Sequence, residues 1–232
     1  MQKNSKLGWA LHEHLVSKGL ETPMIINSVS NPAQEKIAEI EGLMAQMMDT
    51  IGLDRADDSL EETPHRIAKM YINEFFAGLD YDNFPKCTTV ANKFHQNVKE
   101  DEVRPFVLVK NIKVNSFCEH HFLGILGNAH IAYIPGENVL GLSKLARVVE
   151  FFSRRPQVQE RLCEQIAEAM VFTSGCKDVA VYMDCEHLCM TTRGIEEPCA
   201  ATATLATRGG FAKKESSLRT EFLSLVASFE RG

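Results

Sequence analysis

The residues best suited to chemistry lie in the run Ser116-Phe117-Cys118-Glu119-His120-His121. Thiolate and imidazole are the preferred ligands of zinc. A Cys-x-x-His spacing lets Cys118 and His121 reach one ion from a turn, whereas in a regular strand these positions would face opposite ways. Further along stands Glu186-His187-Leu188-Cys189. Read as a strand, it puts His187 and Cys189 on one face, so Cys189 offers a third ligand with His187 beside it. Three protein ligands leave a fourth position open to water, the arrangement of a catalytic rather than a structural zinc site. Zinc lowers the pKa of such a water to about 7. Cys185 has the strand parity of Cys189 and opens a rival reading, a closed structural site of Cys118, His121, Cys185 and Cys189. That site would leave His120 and His187 without a role. The plain account of these two histidines is hydrogen-bonded core filling.

Two further clusters suit a nucleotide-like ligand. In Gly141-Leu142-Ser143-Lys144-Leu145-Ala146-Arg147, Ser143 can cap a helix, and Lys144 and Arg147 lie three apart on one helix face. Backbone N–H groups at a helix start add positive potential. The pattern fits a phosphate site and a solvated basic face equally. In Arg155-Pro156-Gln157-Val158-Gln159-Glu160-Arg161-Leu162, an ionised Glu160 is acceptor-only and can take both the N1–H and the exocyclic amine of guanine, a pair adenine lacks. A Glu in a first helical turn is also an ordinary partner of the helix dipole, so the residue alone does not decide.

The elements that must position these groups follow from periodicity. Leu7, Leu11, Leu15 and Val16 suit one face of a short helix, within a first 30 or so residues that read as peripheral. Asn31 is positioned to cap a helix, with Pro32 at its first position and Gln34 completing a capping box. Ile37, Ile40, Met44, Met47 and Ile51 follow at helical spacing and read as core. Thr63-Pro64 starts another helix, with Ile67, Met70, Tyr71 and Phe75 inward and Gly78 as its stop. A strand begins near Cys87, and the polar stretch 93–104 reads as a flexible hairpin loop. Val107, Val109, Ile112 and Val114 suit a strand with an irregularity near Asn111, and 122–134 its partner. Helices follow from Ser143 and from Pro156 to Gly175, then strands over 179–183 and 201–207, and a last helix over 215–229. The order is α+β with an antiparallel sheet.

Bulk composition narrows the class. A chain of 232 residues suits one large domain or a core with an extension. Hydrophobic residues at 44% and charged residues at 24% are an ordinary globular balance. No apolar run approaches the roughly 20 residues of a membrane span. His12, Glu13 and His14 interrupt the only apolar stretch of the N-terminus, which argues against a secretory signal. A cytoplasmic protein is expected. The net charge of −6 argues against a general nucleic-acid binder. Cys87, Cys118, Cys163, Cys176, Cys185, Cys189 and Cys199 are odd in number in a chain that is not small, which argues against a disulfide framework.

In order and spacing, these motifs resemble the GTP cyclohydrolase I family. The resemblance rests on Cys118-Glu119-His120-His121, Ala132-Tyr133-Ile134-Pro135, Gly141-Leu142-Ser143-Lys144, Arg155 to Leu162, His187-Leu188-Cys189 and Arg193-Gly194, with Thr63-Pro64-His65-Arg66-Ile67-Ala68 fitting the same family. It covers about residues 32–229. It implies a tunnelling-type fold, an antiparallel sheet backed by two helices with an N-terminal helical extension. Subunit sheets join into a barrel in a toroidal homo-oligomer, usually a decamer, with sites at subunit interfaces. The expected division is a helical region over 1–85 and a catalytic domain over 86–232.

Roles follow from the same resemblance. Cys118, His121 and Cys189 match zinc ligands. His120 matches the group that protonates guanine at N7, and His187 a second proton-transfer group near the ribose. Gln159 and Glu160 match the guanine-recognition pair. Ser143, Lys144, Arg147, Arg193 and Arg66 match the triphosphate pocket, with Arg66 from a neighbouring subunit. The implied reaction is hydrolytic opening of GTP at C8 by zinc-activated water, release of formate and closure to 7,8-dihydroneopterin triphosphate, the first step toward tetrahydrofolate and other pterins. Two departures stand out: the stretch 92–104 is longer than in bacterial members, and Cys185 replaces an expected small residue. A zinc deaminase is the first alternative, but it needs Pro-Cys-x-x-Cys, and here Cys189 is followed by Met190-Thr191-Thr192. A non-catalytic zinc-stabilised assembly protein is the second.

Overall fold

Period-two apolar runs build one five-stranded sheet, and period-3.6 runs build the helices that cover it. The computed structural model describes residues 2–93 and 105–228. Helices α1 (Ser5–Ser17), α2 (Ile26–Val29), α3 (Ala33–Ile51) and α4 (Thr63–Met70) come first, and α4 runs on into a π-helical turn, Tyr71–Phe75. Strands β1 (Thr89–Ala91), β2 (Val107–Cys118), β3 (Gly124–Tyr133) and β4 (Asn138–Leu140) follow. Then come α5 (Leu142–Ser153), β5 (Pro156–Gln157), α6 (Gln159–Ser174), β6 (Val179–His187), α7 (Leu188–Thr191), β7 (Ala201–Arg208) and α8 (Ser217–Ala227). The large sheet has the order β5-β2-β3-β6-β7, and β1 pairs with β4 in a small one.

The four long strands are antiparallel neighbours, and the mixed α+β class expected from the sequence is what forms. The irregularity expected near Asn111 is a register shift between Val109 and Ile112, with Asn111 at φ 56°. Leu145, Val149 and Phe152 of α5 and Leu162, Ile166 and Met170 of α6 share one buried cluster with Val114, Ile125, Ile131, Val181 and Met183 of the sheet. On the other face, Phe222 and Val226 of α8 and Phe211 cover Ala132, Ile134 and Ala180. Among the described residues no helix is long and apolar enough to cross a membrane.

Several expectations need correction. Pro156 does not open a helix: Pro156 and Gln157 form β5, parallel to the end of β2, and α6 begins at Gln159. Pro is tolerated there because β5 is an edge strand. Asn31 caps nothing, since α3 starts at Ala33 with Pro32 at its N-cap and no side-chain cap bond. Ser143 lies inside the first turn of α5 behind an N-cap Gly141. Met47 and Ile51, expected as core, are 55% and 61% exposed, and Met48 turns inward instead. Stretch 94–104 and Phe229 lie outside the described residues, so the hairpin loop and the end of the last helix expected there are not described.

The N-terminus is not peripheral. Leu11 and Leu15 are fully buried in the same cluster as the sheet, with Tyr81 and Phe84, across the expected boundary at 85/86. Only Val16 of the expected face points out. Arg155 follows α5 and is completely buried. It donates to Glu21 Oε1 at 3.1 Å and to the carbonyl of Gly78, and lies 4.8–5.2 Å from the ring centres of Tyr81, Phe151 and Phe152. Burial pushes the Tyr81 hydroxyl well above its ordinary range, so it stays protonated and donates to Glu21. Gly78 is required: a Cβ there would stand 2.0 Å from the carbonyl oxygen of Phe151.

Removing one partner of a buried ion pair leaves an uncompensated charge, at a cost of about 3–5 kcal/mol. Arg155→Ala is therefore expected to lower the thermal midpoint strongly at fixed protein concentration. Arg55→Ala, which breaks an exposed pair with Asp49, should leave it close to the parent value.

Candidate active site

The expected chemistry gathers where β2 ends, β3 begins and β6 ends. Ile125↔His187 and Phe117↔Gly124 are register pairs, so three strand ends meet. After Cys118 the chain turns sharply, with the amides of His121 and Phe122 both donating to the Cys118 carbonyl, at 3.3 and 2.8 Å. Phe122 takes φ 54° to complete the reversal. This turn puts the Cys118 thiol and the His121 ring on one side, as the spacing predicts. β5 holds it from outside: Cys118 pairs with Gln157, and the Glu119 amide donates to the Gln157 carbonyl at 2.9 Å.

Cys189 arrives differently from expectation. β6 stops at His187, and Leu188–Thr191 is a helical turn, so Cys189 and His187 are not strand neighbours on one face. The helical turn still swings Cys189 toward Cys118 and His121, and the ligand atoms of the three lie within 4.8 Å of one another. The Cys118 sulfur is 3.8 Å from His121 Nδ1. A tetrahedral zinc requires about 3.6 Å between a sulfur and a nitrogen ligand and about 3.8 Å between two sulfurs, from its bond lengths. Burial and the adjacent Cys118 thiol push Cys189 up, against the pull of Arg193. Two thiols and an imidazole this close together are a donor set that a divalent cation suits, so the residues fit zinc.

Cys185 does not join them. It is buried, and burial lifts its thiol to about 12, with Asp184 and Cys163 adding to the effect. It stands opposite Gly127 in the ladder. A Cβ at 127 would lie 2.8 Å from its sulfur and 2.1 Å from the Asp184 carbonyl oxygen, so glycine there makes the room a larger side chain at 185 needs.

His120 projects outward, 64% exposed, with Nδ1 3.7 Å from the Cys118 sulfur. His187 is half-buried with Nε2 2.8 Å from Gln159 Oε1. Desolvation lowers its pKa, partly offset by the Glu160 carboxylate, so the neutral ring is favoured. The expected guanine pair divides: Glu160 is exposed, whereas Gln159 is buried.

The expected phosphate residues are scattered within one chain. Arg193 is close enough for its charge to act on Cys189. Ser143 and Lys144 stand at the start of α5, after β3 and β4 have carried the chain to the other end of the sheet. The 12 residues of α5 then return toward Phe117, a length of about 18 Å. Lys144 and Arg147 act electrostatically on Cys87. Arg66 is exposed at the start of α4, bonded to the Ser59 carbonyl at 3.2 Å and Thr63 Oγ1 at 3.0 Å.

Sequence reasoning assigned no role to Glu119, Gln157 or Arg161, yet these brace the turn. Arg161 bonds Glu119 and, through Nε at 3.1 Å, Gln157 Oε1. Gln157 donates to Gln165 at 2.7 Å, and Gln165 to the Leu20 carbonyl at 2.8 Å. No helical spacing signals the bond between Gln157 and Arg161, since Gln157 lies in β5 and Arg161 in α6.

With this geometry in view, comparison with known proteins decides the family. The family model described as GTP cyclohydrolase I matches residues 40–227. The chain belongs to the GTP cyclohydrolase I family. It is similar to GTP cyclohydrolase 1 of Aeromonas hydrophila subsp. hydrophila, 50% identical over 90% of this chain and 92% of the relative. The enzyme of the same name from Citrobacter koseri is 46% identical over 97% of this chain and 98% of its own. That of Escherichia coli O1:K1 is 47% identical over the same shares.

Cys189→Ala is expected to lose bound zinc, measured by plasma emission on dialysed protein, whereas Cys185→Ala keeps the parent stoichiometry. Zinc loss in Cys185→Ala would restore the closed four-ligand site.

Proposed function

We propose that this chain is a zinc-dependent GTP cyclohydrolase that opens the imidazole ring of GTP at C8, releases formate and forms 7,8-dihydroneopterin triphosphate, at the head of tetrahydrofolate and pterin synthesis in the cytoplasm. The observation that carries the reading is the convergence of Cys118, His121 and Cys189 beside two further histidines in a chain of this family. Zinc held by those three residues supplies a Lewis acid and a water of lowered pKa. The chain's own residues do the rest. His120, on the exposed side of the turn, gives a proton to guanine N7 and makes C8 electrophilic. His187 moves a proton near the ribose. General acid–base help of this kind is worth about 10²- to 10⁴-fold. Glu160 accepts from the guanine N1–H and amine.

The triphosphate falls to Ser143, Lys144, Arg147, Arg193 and Arg66. A chain of net charge −6 needs a concentrated local field to hold a polyanion. The separation of Ser143 and Lys144 from Cys118 within one chain supports a site completed across subunits. So do other features. Leu126 and Leu205, on the sheet face that α8 covers only in part, are 38% and 41% exposed, and Leu43, Met47 and Ile51 of α3 are 55–61% exposed. Among the described residues nothing pairs with the outer edge of β7. Apolar exposure of this extent and an unpaired edge strand fit burial in an oligomer. A tunnelling-type barrel of joined sheets in a toroidal decamer accounts for both.

Incubation of the protein with GTP should release formate and yield a product that becomes a fluorescent pterin on oxidation. Glu160→Gln presents a donor to two guanine donors, so GTP turnover should fall by about 100-fold or more; parent-like turnover would remove Glu160 from this role. Mixing inactive Arg66→Ala subunits with inactive His120→Ala subunits should restore part of the activity, because some sites then draw both residues from intact chains. Mixed oligomers that stay inactive at every ratio would show that each site is built within one chain.

A further inference from the structure

Gln159 is 1% exposed, and both ends of its amide are engaged. Its Nε2 lies 2.7 Å from the Thr202 carbonyl oxygen, 3.2 Å from Thr204 Oγ1 and 3.5 Å from the Met183 carbonyl oxygen. A carbonyl can only accept. The reversed amide would press its own oxygen against two carbonyl oxygens, so chemistry fixes which end is which. Oε1 must then face His187 Nε2, at 2.8 Å. An amide oxygen cannot donate, so the hydrogen of this bond belongs to His187 Nε2. On a neutral imidazole that leaves the lone pair on Nδ1. Gln159 itself is the first residue of α6, with a neighbouring strand on each of its carbonyl acceptors, so the bond is aimed from rigid elements.

We infer that Gln159 is a positioning residue: it holds His187 as the Nε2–H tautomer, with the ring's free lone pair on Nδ1, rather than reading the guanine base. Base recognition then belongs to the exposed Glu160. This inference rests on the proposed role of His187.

Two measurements test it. Solid-state 15N NMR of zinc-loaded, histidine-labelled protein without substrate, with His187 assigned by difference against His187→Asn, should show a protonated Nε2 and a bare Nδ1 at a pH where the ring is neutral; the opposite tautomer overturns the inference. In steady-state assays, Gln159→Met should lower kcat by about 10- to 100-fold with KM for GTP little changed. The same substitution in a His187→Asn background should have little further effect. A raised KM with kcat intact, or an equal loss in the His187→Asn background, overturns it. Zinc content and thermal midpoint identify a variant that has not folded, in which case the NMR result on the parent protein decides. A parent protein that releases no formate from GTP would remove the proposed function, while the tautomer measurement would still stand or fall by itself.

Discussion

A guanidinium without solvent contact constrains everything around it. Arg155 sits among the rings of Tyr81, Phe151 and Phe152, a setting that stacks well with a planar cation but cannot neutralise it. Glu21 does that, and the carbonyl of Gly78 takes another of its hydrogens. Three segments distant in the chain must therefore close on one point before the charge is tolerable. Arg155 is followed directly by Pro156 and Gln157, whose pairing with Phe117 and Cys118 holds the turn after Cys118 from outside. The placement of the Cys118 thiol is thus anchored to a charge outside the reaction centre.

A second line of polar contacts runs beside it. Glu119, Arg161, Gln157 and Gln165 pass hydrogen bonds from the turn to the carbonyl of Leu20. Every member finds a partner, the condition under which a buried polar network stiffens a core rather than weakening it. Side chains held this way suit chemistry that needs ligands at fixed separations.

How much of this could be read in the sequence differed by element. The Cys118 turn was legible because Cys-x-x-His is meaningful only where the chain reverses. The irregularity at Asn111 was legible because the apolar period slips there by one residue. Strand parity predicts Cys189 near Cys118 and His121, and a helical turn brings it there instead, two routes that one-dimensional spacing does not separate. Pro156 suits a helix start by a preference that an edge strand satisfies equally. The link between Glu21 and Arg155 has no sequence signal at all. Met47 and Ile51 show a different failure: periodicity reports that a face is apolar, not whether its cover comes from the same molecule. The buried state of Gln159 was hidden for a related reason, because α6 begins three residues after Pro156 rather than at it, which turns 159 inward and 160 outward.

The attachment of α1 has a consequence for biosynthesis. His14 bonds Glu168 across 154 residues, Leu20 is bonded by Gln165 across 145, and Glu21 meets Arg155 across 134. During synthesis α1 therefore waits, with Leu11 and Leu15 only partly covered, until α6 has emerged. At ordinary elongation rates of about 5–20 residues per second, that interval is on the order of 10 s. Contacts of such long range slow the final docking and leave an apolar helix in need of shielding meanwhile. An apolar face made about 150 residues before its cover must be shielded by something other than this chain's own core in the meantime.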